Sequence, residues 1–94
     1  MREVTHGDIR AAARVLLSHA EQEWPHLVAR MLVQAHHADC YRKAMGRLHP
    51  GLGNGTLMSV ALAKAPVAEP PASDRRYLTA IRAVLEAVLA WKAR

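Results

Sequence analysis

The chain has no phenylalanine, and Trp and Tyr contribute only two residues each. A 94-residue core without Phe must be assembled from smaller apolar groups, and alanine alone fills 18 positions. Leu and Val supply most of the rest, which points to helices packed closely through small side chains. The shortage of rings also removes the stacking platform used by proteins that grip single-stranded nucleic acid. A single cysteine, Cys40, excludes an internal disulfide framework and fits a reducing cytoplasm. No apolar run approaches the roughly 18–20 residues needed to span a bilayer, so no membrane partner is expected. The opening MREVTHGD carries two acids and no apolar h-region, unlike a secretory signal. Neither an internal repeat nor a strand-like alternation is present. The length suits one domain, residues 1–94, and excludes a (β/α)₈ barrel or a full dinucleotide-binding domain.

What is present reads as helix. Thr5 with Asp8 three residues on has the form of a capping box, and Val4 and Ile9 are placed for a hydrophobic staple. Apolar residues at Ile9, Ala12, Ala13, Leu16, Leu17 and Ala20 then follow the spacing of one buried helical face, predicting a helix over about 6–20. Glu21, Glu23 and Pro25 break it and suit the first turn of a second helix, about 25–45, which Gly46 ends. Seven residues, His49-Pro50-Gly51-Leu52-Gly53-Asn54-Gly55, form a turn-rich loop. Asn54 or Thr56 caps a short helix over about 56–64. Three prolines between Ala65 and Ser73 make an extended strap. Ser73-Asp74 caps a last helix, about 74–92, striped by Tyr77, Ile81, Val84, Leu85, Val88 and Leu89, with Trp91 as a candidate extension of the stripe. On its polar side Arg82 and Glu86 are spaced as an i, i+4 pair. The expected fold is all-α: a small bundle of three main helices plus one short helix, with a Gly-rich loop and a Pro-rich strap.

Catalytic and metal chemistry find little support in these residues. His36, His37, Asp39 and Cys40 cluster on one helix, and His36 and Cys40 are i, i+4 neighbours. A structural zinc site needs four ligands, however, and no second cysteine exists. Pro25 separates His19 from His26. Cys40 beside two histidines has the form of a thiol–base pair, but no oxyanion site accompanies it. No acids converge as a catalytic pair, so no catalytic residue, metal or cofactor is expected. His49 as the general base of a small nuclease or hydrolase is the remaining enzymatic reading. The glycine loop has the general character of an anion cradle. It lacks the Lys-Ser/Thr of a Walker A motif, and no strand precedes it.

The charge layout is more informative. Thirteen basic residues against eight acidic ones give a formal net charge of +5, and no acid lies between Asp39 and Glu69. A basic patch of Arg42, Lys43, Arg47, Arg75 and Arg76 is therefore expected, able to meet nucleic acid or an acidic protein face. A helix-turn-helix reader is disfavoured, because the turn is too long and the following helix is apolar.

Three stretches carry a family resemblance. They are Met1-Arg2-x-Val4-x-His6-Gly7-Asp8 with the following Ala-rich run, Ala38-Asp39-x-Tyr41-Arg42 through Gly46-Arg47-x-His49-Pro50 to Gly53-x-Gly55-Thr56-Leu57-Met58, and Tyr77-Leu78 with the helix ending Ala90-Trp91-Lys92. Together the chain resembles small alphaproteobacterial proteins of gene transfer agent clusters, encoded among the head genes of these phage-like, DNA-packaging particles. It departs from that pattern at Leu52, where Trp is expected, and at Asn54, where Asp is common. The resemblance implies a setting, head assembly or DNA packaging, and no reaction. With no catalytic constellation and a high apolar fraction, the expected function is that of a non-enzymatic accessory protein acting there by protein–protein contact. Its partner would be another head or packaging protein, with DNA as a further partner and a homo-oligomer compatible. The location would be cytoplasmic or particle-associated. Leu48, His49, Leu52, Asn54, Leu57 and Met58 around the loop are the expected partner-binding residues. The alternative is a nucleic-acid-binding module using the basic patch.

Overall fold

The structure, a computed structural model, describes residues Met1–Arg94. Four helices run in the order α1 (His6–Leu16), α2 (Trp24–Met45), α3 (Leu57–Leu62) and α4 (Arg75–Lys92), with a 3₁₀ turn at Glu21–Glu23 before α2. There is no strand, only an isolated bridge between His49 and Gly53. The all-α reading and the three-plus-one helix count therefore hold.

The Thr5 capping box forms as the sequence suggests, and it reaches further than a cap. Asp8 Oδ2 accepts from the Thr5 amide at 2.7 Å and the Thr5 hydroxyl at 2.9 Å, while Oδ1 accepts from the Met58 amide at 2.8 Å. Asp8 is thus buried yet fully partnered, and one carboxylate satisfies orphan amides at the N-termini of both α1 and α3.

Helix α1 stops at Leu16, shorter than its apolar spacing suggested. Side chains from elsewhere claim the carbonyls that would continue it. The Trp24 indole N–H donates to Leu16 O at 2.6 Å and to His19 O at 3.1 Å. The Arg76 guanidinium donates to His19 O at 2.8 Å and stacks 4.9 Å over the Trp24 ring. Helix α2 ends as expected on Gly46 in the left-handed conformation, φ +69°. Thr56 caps α3, and Asp74 rather than Ser73 caps α4 by accepting from the Tyr77 amide at 2.9 Å.

These contacts fix the helix directions. Lys92 meets Glu3 at 3.3 Å, whereas Arg76 meets the carbonyls after the other end of α1, so α1 and α4 are antiparallel. Trp24 lies beside Arg76, and His36 beside Trp91, so α2 and α4 run parallel. The core sits where α1 and α3 close over one side of this parallel pair. Its largest fully buried side chains are Tyr77, Leu16, Met31, Leu32 and Leu57, with alanines 11, 12, 13, 35, 61 and 80 between them.

The proline-rich segment is a strap across α1. Arg14 and Val67 exchange two hydrogen bonds, the guanidinium of Arg14 donating to Val67 O at 2.7 Å. Arg10 grips Glu69 with two bonds at 2.6 and 2.7 Å, and the Tyr77 hydroxyl donates to the same carboxylate at 2.5 Å. The Arg10 and Tyr77 bonds hold the Glu69 carboxyl at about 2, while burial pushes the Tyr77 hydroxyl up.

Candidate partner-binding surface

The glycine loop is satisfied from within. His49 exchanges backbone hydrogen bonds with Gly53, and its Nδ1 accepts from the Gly51 and Leu52 amides at 2.9 and 3.0 Å. A ring nitrogen with two N–H groups pointing at it is the unprotonated one, so the His49 proton lies on Nε2. Asn54 Oδ1 accepts from the Thr56 amide at 3.0 Å and from the Thr56 and Ser59 hydroxyls at 2.7 Å each. The amides of Gly51, Leu52, Gly53 and Thr56 are engaged by the loop's own acceptors, which weakens the anion-cradle reading. His49 packs edge-on between Tyr41 and His37, with ring centroids 4.8 and 5.7 Å away.

The expected partner-binding set divides. Leu48 is exposed and stands near exposed Met45. His49, Leu52, Asn54 and Met58 are half-buried. Leu57 has 1% of its surface exposed and belongs to the core. That is a correction: the first residue of α3 faces inward between α1 and α2, out of any partner's reach.

The expected basic patch is not one surface. Arg42 and Lys43 lie on the last turns of α2, and both bind the buried carboxylate of Asp39, at 2.8 and 3.1 Å. Arg76 sits by Trp24, at the opposite end of α2, and is committed to Glu21 and the carbonyls after α1. The 18 residues from Trp24 to Arg42 span roughly 27 Å of helix. Arg47 and Arg75 are exposed and unpaired, one near each end. A phosphate backbone thus meets two separated and partly neutralised clusters instead of a stripe.

Asp39, one of the candidate metal ligands, is a charge hub. Besides Arg42 and Lys43 it faces the Met1 ammonium at 3.4 Å, and these cations, Arg42 foremost, hold its carboxyl far below the usual carboxylate range. His36 Nδ1 accepts from that ammonium at 2.8 Å, and its Nε2 lies 3.6 Å from Cys40 Sγ. Desolvation and the neighbouring ammonium lower the His36 pKa. The i, i+4 contact of His36 and Cys40 is real, but no group of three His, Cys, Asp or Glu side chains converges on a metal position.

The largest concavity lies elsewhere, on the outer side of the parallel α2–α4 pair. It is an open groove of about 470 Å³. Ala29 and Leu32 of α2 and Ala83, Ala87 and Ala90 of α4 form its floor, with Val33 and Trp91 as its walls. Alanines leave the trough where larger side chains would have filled it. Trp91 is held from two directions, by the His36 ring edge at 5.5 Å and by the Arg94 guanidinium 3.9 Å over its face. Val33 is 56% exposed despite its apolar surroundings. Sequence reasoning missed this groove because its alanines read as core. The signal that marks it is Val33 next to Leu32, which gives α2 a second apolar face.

Beyond the groove, α4 also exposes Leu78, Leu85 and Leu89. Arg82 and Glu86 do not form their expected pair: Glu86 lines the groove, while Arg82 lines a neighbouring hollow with Ser73 and Leu78. No helix of the chain is long and apolar enough to cross a membrane.

A family model described as a domain of unknown function (DUF7742) matches residues 2–88, which takes in every helix except the last turn of α4. No curated protein and no solved structure matches the chain.

Proposed function

The chain belongs to this family, the domain of unknown function DUF7742, and from that premise we propose that it is a non-enzymatic accessory protein that works by protein–protein contact. The observation that carries the reading is the open apolar groove between α2 and α4, flanked by Val33 at 56% exposure. A trough of alanines beside a braced tryptophan is shaped to receive a helix, since small side chains allow close backbone approach. A groove lined by apolar side chains, with Glu86 and Arg94 the only charged ones, offers little for bond-breaking chemistry.

The setting we propose is head assembly or DNA packaging of a gene transfer agent. It is supported by the resemblance carried by residues 1–8, by the segment Ala38–Met58 and by the end of α4. The partner is then another head or packaging protein, and the chain acts in the cytoplasm or on the particle. Deleting the gene and counting DNA-filled particles tests this, with Ala90→Glu in the groove as the directed variant. Fewer filled particles in both strains is the expected result, and unchanged yield and packaging in the deletion strain would refute it. A mobility shift with DNA that weakens steeply with salt is the outcome that would turn the reading towards nucleic acid.

A further inference from the structure

The groove carries a charge pattern as well as a shape. Ala29 and Val33 line both the groove and an adjoining hollow that contains Arg30, and Arg94 lines the groove at its other end. Neither Arg30 nor Arg94 is within salt-bridge distance of a carboxylate side chain. Glu86 is the one acid on the rim. Two unpaired cations against one anion leave the border of an apolar trough net positive.

We propose that this groove docks an acidic amphipathic helix of a partner protein, its apolar face on the alanine floor and its carboxylates towards Arg30 and Arg94. The inference rests on the accessory-protein reading and specifies the partner's chemistry. A second copy of this chain is the wrong occupant on charge: each copy carries +5, so self-docking brings two positive borders together. The basic rim steers an acidic segment and rejects a basic one of equal hydrophobicity, while the groove supplies most of the contact area. Trp91, half-buried on the wall and bracketed by His36 and Arg94, is the aromatic anchor that such interfaces favour.

Two synthetic 18-residue peptides without tryptophan test this. They share one Leu/Ala face and differ only in carrying Glu or Lys at the polar positions. Trp91 reports binding by a blue shift in its emission, because Trp24 is already buried and hydrogen-bonded. The Glu peptide is expected to bind more tightly than the Lys peptide by about fivefold or more, given the usual strength of exposed ion pairs, with the gap closing at high salt. Ala90→Glu, at an exposed groove position, should abolish the shift with its thermal melt retained. The double variant Arg30→Glu, Arg94→Glu should reverse the preference between the peptides. Equal binding of both peptides, no binding of either, a shift that persists in Ala90→Glu, or a dimer of the peptide-free protein that Ala90→Glu dissociates would each overturn the proposal. If the Glu peptide fails to bind but Ala90→Glu still lowers the yield of filled particles, the docking chemistry is wrong and the accessory role stands. If the peptide binds as expected and the variant's particles are normal, the docking chemistry stands and the packaging role falls.

Discussion

Replacing Gly55 by alanine should cost far more than replacing Gly46, although both glycines have positive φ. Gly46 (φ +69°) has nothing within 4 Å of where a Cβ would stand. Gly46→Ala therefore meets only the left-handed backbone penalty, partly offset by a less flexible unfolded chain, about 1 kcal/mol in all. Gly55 (φ +92°) carries the same backbone term, but its Cβ would stand 2.8 Å from Asp39 Cβ, 2.9 Å from Asp39 Cα and 3.0 Å from Asp39 Oδ1. Asp39 Cα is helical backbone in the middle of α2 and cannot move aside like the tip of a side chain. The loop must lift off the helix, adding an overpacking cost of about 1–3 kcal/mol. Gly55 O also accepts from the Arg2 amide at 3.3 Å, so lifting the loop disturbs the N-terminal segment too. A total of about 2–4 kcal/mol follows. In a domain of this size each kcal/mol moves the melting temperature by about 4–8 °C, so Gly46→Ala should melt about 5 °C and Gly55→Ala about 10 °C or more below the parent. Differential scanning calorimetry of the three proteins decides it. If Gly55→Ala melts within 2–3 °C, roughly half the shift of a 1 kcal/mol change, of Gly46→Ala, the close seating of the loop on α2 is wrong.

Asp8→Asn keeps the volume but turns one acceptor into a donor among the amides of Thr5 and Met58; urea unfolding should show a loss of about 2–3 kcal/mol, and a loss below about 0.5 kcal/mol would contradict the double cap. The carboxyls of Glu69, at about 2 against an ordinary 4.5, and of Asp39, below its ordinary 3.8, are both depressed. The stability they contribute is therefore complete above those ordinary values and is lost as pH falls towards 2. A melting-temperature profile should show that acid limb, and Glu69→Gln should flatten it. His36 is also depressed, below 6.5, so a smaller loss should begin as pH falls through that value and be missing in His36→Gln. The Gln34 side-chain oxygen is buried with no hydrogen-bond partner; Gln34→Met should raise stability by about 1 kcal/mol, and a destabilised variant would show that the amide is satisfied.

Local chemistry was the most legible part of the fold. Thr5, Asp8, Gly46, Thr56 and Asp74 govern helix ends through contacts a few residues away, and each sits where a cap is needed. The end of α1 was illegible because Trp24 and Arg76, brought there by the folded chain, determine it. The basic patch failed as one surface for a related reason. Residues 42–47 and 75–76 are separated by a crossover that places them at opposite ends of α2, and linear charge counts carry no information about that. Asp39 looked like a ligand because of its histidine neighbours, whereas its environment comes from Arg42, Lys43 and the Gly55 backbone pressed against it. The groove was hidden by composition, since an alanine reads the same in a tight seam as on the floor of an open trough.

The parallel course of α2 and α4 has a consequence for how the chain reaches its fold. Two consecutive long helices can run parallel only if the chain returns to its starting end between them. Here the glycine loop, α3 and the strap make that return, and the strap is latched to α1 through Arg10 and Arg14. The contacts that hold α1 against α4 join residues 57 to 89 positions apart. They cannot form until this return path has closed, so their loop-closure entropy is met before they stabilise anything. A helical protein of this length built as an up-and-down bundle would fold chiefly through near-neighbour contacts. This one should fold more slowly than its helix content suggests, with the docking of α4 onto α1 as the late step.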